Sequence, residues 1–590
     1  MLLAHFPNAA VPSRSMVPGR MKSCRPLQHP PSGDRTNLKR RHWVWLFQEE
    51  TGTDVVMTAM NSSQPSATTA PRPPVRWWPV AVILALAAGA LVWAWQAYAR
   101  QRQAGNIATA IIGIITLLLL LLWCLFLSRL RWRIRLGVFG GVLGLILLLM
   151  TLFRFHGVTG DLVPVFQWRW ERTSLNSLDE GAKAVSQGAS SQANQLTNNW
   201  PQFLGPHRNC TVEQPHLARD WKAQPPQRLW LQPVGPGWSG FAVVGSRAIT
   251  QEQRGQNETV ICYELLTGLP IWSYSYPAHF QSPLAGEGPR ATPTVAGHRV
   301  YALGSTGILN CLDLETGKLL WSKDIIRDSQ AKLNEWGASG SPLIVDDLVV
   351  VSAGGHDNRS LVAYRAATGD FIWGNGTDGA GYSSPCLVTL AGIAQILIFN
   401  SGGVSAHDPA TGTNLWKYHW PGGHPHVSMP VVIPGERLLV SSGYGVGSEL
   451  LKIQADSEGK LAATRLWKSN RLKAKFTNLV YHDGYIYGLD DGVMACLGAS
   501  SGEQKWKHGR YGHGQEILAG DVLLVTGESG EVILLDPNPQ EFRELTRFSA
   551  LKGKTWNPPA LAGQYLLVRN DKEAACYRLP LAKASVVSRN

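Results

Sequence analysis

The chain has 590 residues and a formal net charge of +13, with charged residues at 16%, below the roughly one quarter of an ordinary soluble protein. Gly 60, Pro 36 and Cys 8 over this length exclude a collagen, a disordered acidic chain and a small disulfide scaffold. The charge is confined: residues 1–172 carry 19 Lys and Arg against 6 Asp and Glu, and the remainder holds 36 of each sign. A nucleic-acid surface needs its excess on the folded part, so no nucleic-acid partner is expected.

Residues 1–75 are rich in Pro, Ser and Arg without a sustained period, and NSSQPSATTAPRPP reads as a disordered arm. Met57 and Met60 offer alternative starts. Within 76–155 lie three apolar runs, 79–98, 107–127 and 134–153, each about the ~20 residues that cross a ~30 Å hydrocarbon core. A buried helical hairpin of a soluble domain is the bland alternative, but the second run has no charge across its whole length. The lipid bilayer is therefore an expected partner.

Arg72, Arg76, Arg129, Arg131, Arg133 and Arg135 flank the spans on one side, against Arg100, Arg102 and Arg154 close by on the other, with Arg169 and Arg172 further off. The positive-inside bias predicts a cytoplasmic arm and everything after Phe153 outside the cytoplasm. That describes a multi-pass protein of a bacterial inner membrane with a periplasmic C-terminal domain. Trp77, Trp78, Trp93, Trp95, Trp168 and Trp170 suit the interfacial aromatic belt. Residues 156–199 read as a juxtamembrane segment and a polar, flexible linker.

From there internal repetition organises the chain. CYELLTGLPIW, CLDLETGKLLW, AYRAATGDFIW, AHDPATGTNLW and CLGASSGEQKW end at Trp272, Trp321, Trp373, Trp416 and Trp506, with a looser copy at Trp467 and a lone strand PQRLWLQP around Trp230. The spacings of 42, 49, 52, 43, 51 and 39 residues are those of a propeller blade. Each unit opens with small and β-branched residues in period-two alternation, and the TG dipeptide supplies a hairpin turn. Eight openings, near Trp238, Arg290, Gly340, Ser383, Val427, Phe476, His513 and Trp556, and a last unit of only three strands predict an eight-bladed ring closed by the Trp230 strand. The expected fold is all-β: an eight-bladed β-propeller of four-stranded blades over 200–581, preceded by three transmembrane helices and followed by a tail at 582–590.

The A/C-x-D-x-x-TG-x-x-x-W signature resembles that of the pyrroloquinoline-quinone (PQQ) repeat propellers. WPQFLGPHRN at 200–209 and the last unit are similar to membrane-tethered members from bacteria such as planctomycetes. That superfamily includes quinoprotein dehydrogenases and the non-enzymatic propeller lipoprotein of outer-membrane protein assembly. Dehydrogenases of the class often carry a vicinal Cys pair, long cover insertions, and an acid and an amide on Ca²⁺. Neither CC nor CxxC occurs here, and the propeller region lacks long insertions. The resemblance therefore implies a binding or scaffold module for protein or polymer partners, more a non-enzyme than an enzyme, with no cofactor predicted. The alternative is a PQQ- and Ca²⁺-dependent oxidoreductase, with Glu335 and Asn557 toward the metal, Trp336 or Trp556 as stacking surface and Lys475 toward an anionic cofactor.

Cys262, Cys311 and Cys496 precede the TG or SG turn by five residues, where other units have Ala363 and Ala406, and Cys576 matches them in the last unit. They read as small buried residues, unpaired. His424 and His426, with His419, could share a strand face for a metal, but WPGGHPH reads first as a loop; GYGVGS after Ser442 precedes no helix and is no phosphate cradle. Residues at the unit openings converge on one mouth of the channel, giving Trp238, Arg290, Glu335, Trp336, Tyr382, Lys475, His513, Trp556 and Asn557 as the candidate ligand-binding set. No catalytic residue and no metal ligand is assigned.

Overall fold

The computed structural model describes residues 74–99, 101–170 and 199–582. The arm, the polar linker from 171 to 198 and all but the first residue of the tail lie outside the described residues. Helices α1 (Trp78–Ala97), α2 (Arg102–Leu122) and α3 (Trp132–Leu152) occupy the three apolar runs and are long and apolar enough to cross a membrane. Pro79 sits in the first turn of α1, where its missing N–H leaves no bond unmade. After α2 the chain passes through a π turn, Trp123–Leu127, and leaves the helix at Arg129 with φ 58°.

Straight after α3 comes a hairpin, β1 (Phe153–Val158) with β2 (Pro164–Trp168). Its alternating aromatics pair across the strands, with ring centroids 4.3 Å apart for Phe153 and Trp168 and 6.2 Å for Phe155 and Phe166. Part of the expected juxtamembrane segment is thus a folded element.

Two short strands, β3 (Thr211–Val212) and β4 (Gln227–Pro233), precede the repeats. Eight antiparallel blades follow, at 242–277, 294–324, 343–375, 386–419, 431–469, 480–510, 515–549 and 560–578; we number them 1 to 8. Blade 8 takes β4 as its fourth strand, so the strand around Trp230 closes the ring and no blade is left one strand short.

The repeat signature has a packing cause. A Cβ built on the turn glycine of blade 1, 2, 3, 4 or 6 (Gly268, Gly317, Gly369, Gly412, Gly502) would come within 2.3 to 2.8 Å of the Trp ring of the preceding blade. All five glycines also hold φ between 68° and 76°, the left-handed region that side chains disfavour. Indole N–H groups of Trp230, Trp272, Trp321 and Trp467 donate at 2.8 to 3.1 Å to the carbonyl three residues before that glycine. Across the ladder most of these Trp face a small residue: Cys262 opposite Trp272, Cys311 opposite Trp321, Ala363 opposite Trp373, Ala406 opposite Trp416, Cys496 opposite Trp506 and Cys576 opposite Trp230, whereas Leu450 faces Trp467 in blade 5. These four thiols are fully buried and free, and burial pushes them up, Cys311 and Cys496 to about 12.

At the seam between blades 8 and 1 the fully buried Arg569 donates to Thr250 Oγ1 at 2.7 Å, Gln251 O at 2.8 Å and Gly235 O at 3.0 Å. Among the described residues no carboxylate forms an ion pair with it; backbone and hydroxyl acceptors, with the charges of Glu252 and Asp571 further off, offset its desolvation.

Residues 199–221 cross the channel at the end away from the helices. Trp200 exchanges backbone bonds with Val243 of blade 1, Pro201 O accepts from Val295 of blade 2, and the Arg208 guanidinium donates to Ser341 O and Pro342 O beside blade 3 at 2.9 and 2.8 Å. Cys210 O then accepts from Leu518, and β3 runs parallel to the inner strand of blade 7. WPQFLGPHRN is therefore the stretch that closes the channel, and burial lowers Arg208 to about 10.

Candidate binding site at the channel mouth

The eight inner strands start just below the mouth, so the residues before each of them point toward one another. A cavity of about 430 Å³ lies there. Trp238, Arg290, Glu335, Trp336, Tyr382 and Trp556 of the expected set line it, together with Ser339 and Val427. Three members of the set do not: Lys475, His513 and Asn557 lie behind the wall. Asn557 is buried and its amide donates to Gly237 O and Ser239 O at 3.0 and 2.8 Å, bridging the last blade to the first.

Aromatic rings make most of the wall. Trp238 and Trp556 lie 5.0 Å apart, Trp336 stacks on Tyr382 at 5.0 Å, and Phe476 touches Trp336, His513 and Trp556 at 5.4 to 6.0 Å. Such pairs each contribute about 0.5–1.5 kcal/mol beyond their burial.

Two elements that sequence reasoning did not bring to the site complete it. Phe203, from the crossing segment, reaches the cavity from the opposite end, and the β1–β2 hairpin covers the mouth with Val158, Thr159, Gly160 and Leu162. Gly160 lies against His513: a Cβ there would fall 2.0 Å from the ring. The Gly160 N–H donates to Glu528 Oε1 at 2.7 Å, and the same carboxylate accepts from the Trp556 indole at 2.9 Å and from His513 N–H at 3.1 Å. Asp161 Oδ1 lies 3.3 Å from His513 Nε2, and its other oxygen 3.7 and 3.8 Å from Arg510 and Arg102. His156 Nε2 meets Asp571 at 2.7 Å. Only the GVTGDLV turn between two aromatic-alternating stretches hinted at this lid.

Three cations stand at the mouth without an ion-paired carboxylate among the described residues. Arg290 donates to the carbonyls of Gly288, Ala285 and Gly286, lies 4.5 Å over Phe280, and is lowered by burial to about 10. Lys554 Nζ sits 4.4 Å over Trp556 and 4.8 Å over Trp238. Lys475 is 3% exposed, and its Nζ donates to Gln103 Oε1 of α2 at 2.7 Å, with Tyr444 5.0 Å away. Burial lowers both lysines.

The histidine motif divides. His426 is buried against Phe399, and both ring nitrogens face backbone carbonyls, Asn400 O at 2.7 Å and Pro421 O at 3.2 Å; His424 stacks on Tyr444 at the cavity. Among the described residues no three His, Cys, Asp or Glu side chains converge as a cation site. Of the pair assigned to Ca²⁺ in the alternative reading, Asn557 lies behind the wall with its Oδ1 buried and without a hydrogen-bond partner among the described residues, while Glu335 lines the cavity from an exposed position on another loop.

Comparison with known proteins agrees with the repeat. The profile of the family described as outer membrane protein assembly factor BamB matches residues 221–335 and 257–508. The matched residues all lie in the propeller, whose repeats are similar to those of PQQ-repeat β-propellers. A curated outer membrane protein assembly factor BamB from Moranella endobia is 27% identical over 263 residues, 42% of this chain and 62% of that protein, so the chain spans less than two thirds of its length. Among solved structures, BamB from Moraxella catarrhalis shows 17% identity and a TM-score of 0.45, covering 60% of this chain and 100% of that one. The quinohemoprotein alcohol dehydrogenase from Comamonas testosteroni shows 14% identity and a TM-score of 0.48, covering 69% and 85%.

Proposed function

We propose that the protein is a membrane-anchored scaffold whose propeller takes a protein or polymer partner on the face turned away from the helices, in the periplasm. One observation carries this reading. Leu269, Leu319, Leu320, Phe371 and Ile372 are all exposed, and all follow the turn glycines of blades 1 to 3, so they form an apolar arc on the rim opposite the capped mouth. Blade 6 has Glu503, Gln504 and Lys505 at the same place. Exposed apolar residues recurring at one position of neighbouring blades mark an interaction surface. The relatives' name as outer membrane protein assembly factors supports a partner that is a protein.

Photocrosslinking residues placed in cells at Leu320 and Phe371 should yield one adduct of common mass, and at Lys505 none. Protease added to intact spheroplasts should digest the propeller and spare the arm. Absence of adducts, together with binding of added PQQ and Ca²⁺ and dye reduction by the purified chain, would replace the scaffold with the dehydrogenase reading.

A further inference from the structure

Beside the mouth cavity lies a side pocket of about 200 Å³, and the two share Gln103, His424 and Tyr444. Ala104 and Ile107, in the first turns of α2, form part of the side pocket's wall. It therefore opens where a membrane-crossing helix meets the propeller. Lys475 stands at the junction, buried, with one hydrogen bond among the described residues, to Gln103, for three N–H donors. A desolvated ammonium with donors to spare is costly unless an acceptor meets it. Arg102 lines the same pocket with two carboxylates: Asp161, held by His513, Arg510 and Arg102, and Asp491, whose Oδ2 lies 3.5 Å from Lys473 Nζ. Beyond the junction the wall is aromatic.

We propose that the mouth is a binding site for a single-chain amphiphile with an anionic head, drawn from the bilayer, with the head on Lys475 and the chain along Tyr444, Tyr382, Trp336 and Phe476. The chemistry that recognises it is a charge-assisted hydrogen bond at one end and an apolar aromatic slot at the other. A fatty acid and a polyprenyl phosphate share it. The site is separate from the rim arc, so it stands or falls without the partner-binding reading.

The test uses the full chain in phosphatidylcholine nanodiscs with a photoactivatable diazirine palmitate. Light should place adducts on peptides bearing Trp336, Tyr382 or Phe476. Lys475→Gln should raise the half-saturating concentration about tenfold, the order expected for one charge-assisted bond, and leave a diazirine hexadecanol unaffected. Val427→Trp, which fills the cavity, should abolish adducts from both probes; Ser339→Phe is a second filling variant, each checked for an unchanged melting midpoint. Competition by palmitate or by farnesyl phosphate identifies the source of the ligand. Adducts confined to the helices, an equal response of acid and alcohol to Lys475→Gln, persistence in both filled variants, or competition by neither compound overturns the proposal.

Discussion

Trp230 and Gly268 meet at the seam of the ring: the indole of the closing strand lies on the turn glycine of blade 1, where a Cβ would be 2.7 Å from the ring, and its N–H reaches Leu265 O at 2.8 Å. The first strand of the propeller thus repeats at the closure the contact that joins blade to blade. Trp230→Ala should destabilise the domain by about 3–5 kcal/mol, as for a large buried aromatic. Deleting 226–234 should cost more, since it opens the outer edge of blade 8 and the seam together. Thermal melting of both variants checks this; an unchanged midpoint for the deletion would mean that the ring closes elsewhere.

Turn glycines separate two costs that usually come together. Gly317 has φ 68° and a Cβ would lie 2.5 Å from the ring of Trp272, whereas Gly297 has φ 56° and nothing within 4 Å. Gly297→Ala should therefore cost only the left-handed backbone, about 1–2 kcal/mol. Gly317→Ala adds overpacking of the blade interface and should cost about 2–5 kcal/mol. Denaturant midpoints of the two variants should differ in that order, and equal losses would show that the Trp yields at no cost.

Legibility followed periodicity. The blades, their number and the closing strand were readable because the Trp, the small residue opposite it and the turn glycine recur at blade spacing in most copies for one packing reason, while blade 5, where Leu450 faces Trp467, and blade 7, whose last strand has no Trp, showed in their strand openings. Six of the nine candidate mouth residues line one cavity because position before an inner strand is also periodic. The lid and the crossing segment were not readable. FRFHGV and PVFQW are too short for a period to stand out, and their aromatics suited a membrane interface as well as a hairpin. WPQFLGPHRNC makes its hydrogen bonds with blades 1, 2, 3 and 7 in turn, so no local pattern records it. Arg208 runs against the usual rule that arginine stays exposed, because carbonyls at the ends of inner strands accept from it.

Cys262, Cys311, Cys496 and Cys576 occupy one position in four blades, each buried opposite a Trp. Equivalent positions in different blades are held apart by whole sheets, which leaves no pair within bridging reach. Denatured, unreduced protein should yield all four as free thiols by alkylation and mass spectrometry. In the native protein they should resist the same reagent at neutral pH, because burial holds them in the protonated form, which is the unreactive one. A linked peptide containing two of them would overturn the blade register.

The lid should loosen in acid. Burial would raise the carboxyl of Asp161, but the hydrogen bond and charge of His513, with Arg510 and Lys475, hold it below the usual carboxylate range. Asp571 is likewise depressed against burial, by His156, Lys554 and Lys572. A carboxylate whose folded pKa lies below its unfolded value stabilises the folded state fully above the unfolded value, about 3.9 for Asp, and that contribution disappears as pH falls through the folded value. The two pairs tie the hairpin to blades 7 and 8, so their loss acts on the hairpin first. Hydrogen exchange at residues 153–168 should accelerate as pH drops from 4 toward 2, after correction for intrinsic rates, before the inner strands lose protection. Asp161→Asn, which removes one charge and keeps the shape, should bring part of that acceleration up to pH 7. Exchange in the hairpin that stays constant through this window, or that changes only together with the blades, would show that Glu528 and the aromatic wall hold the lid without the ion pairs.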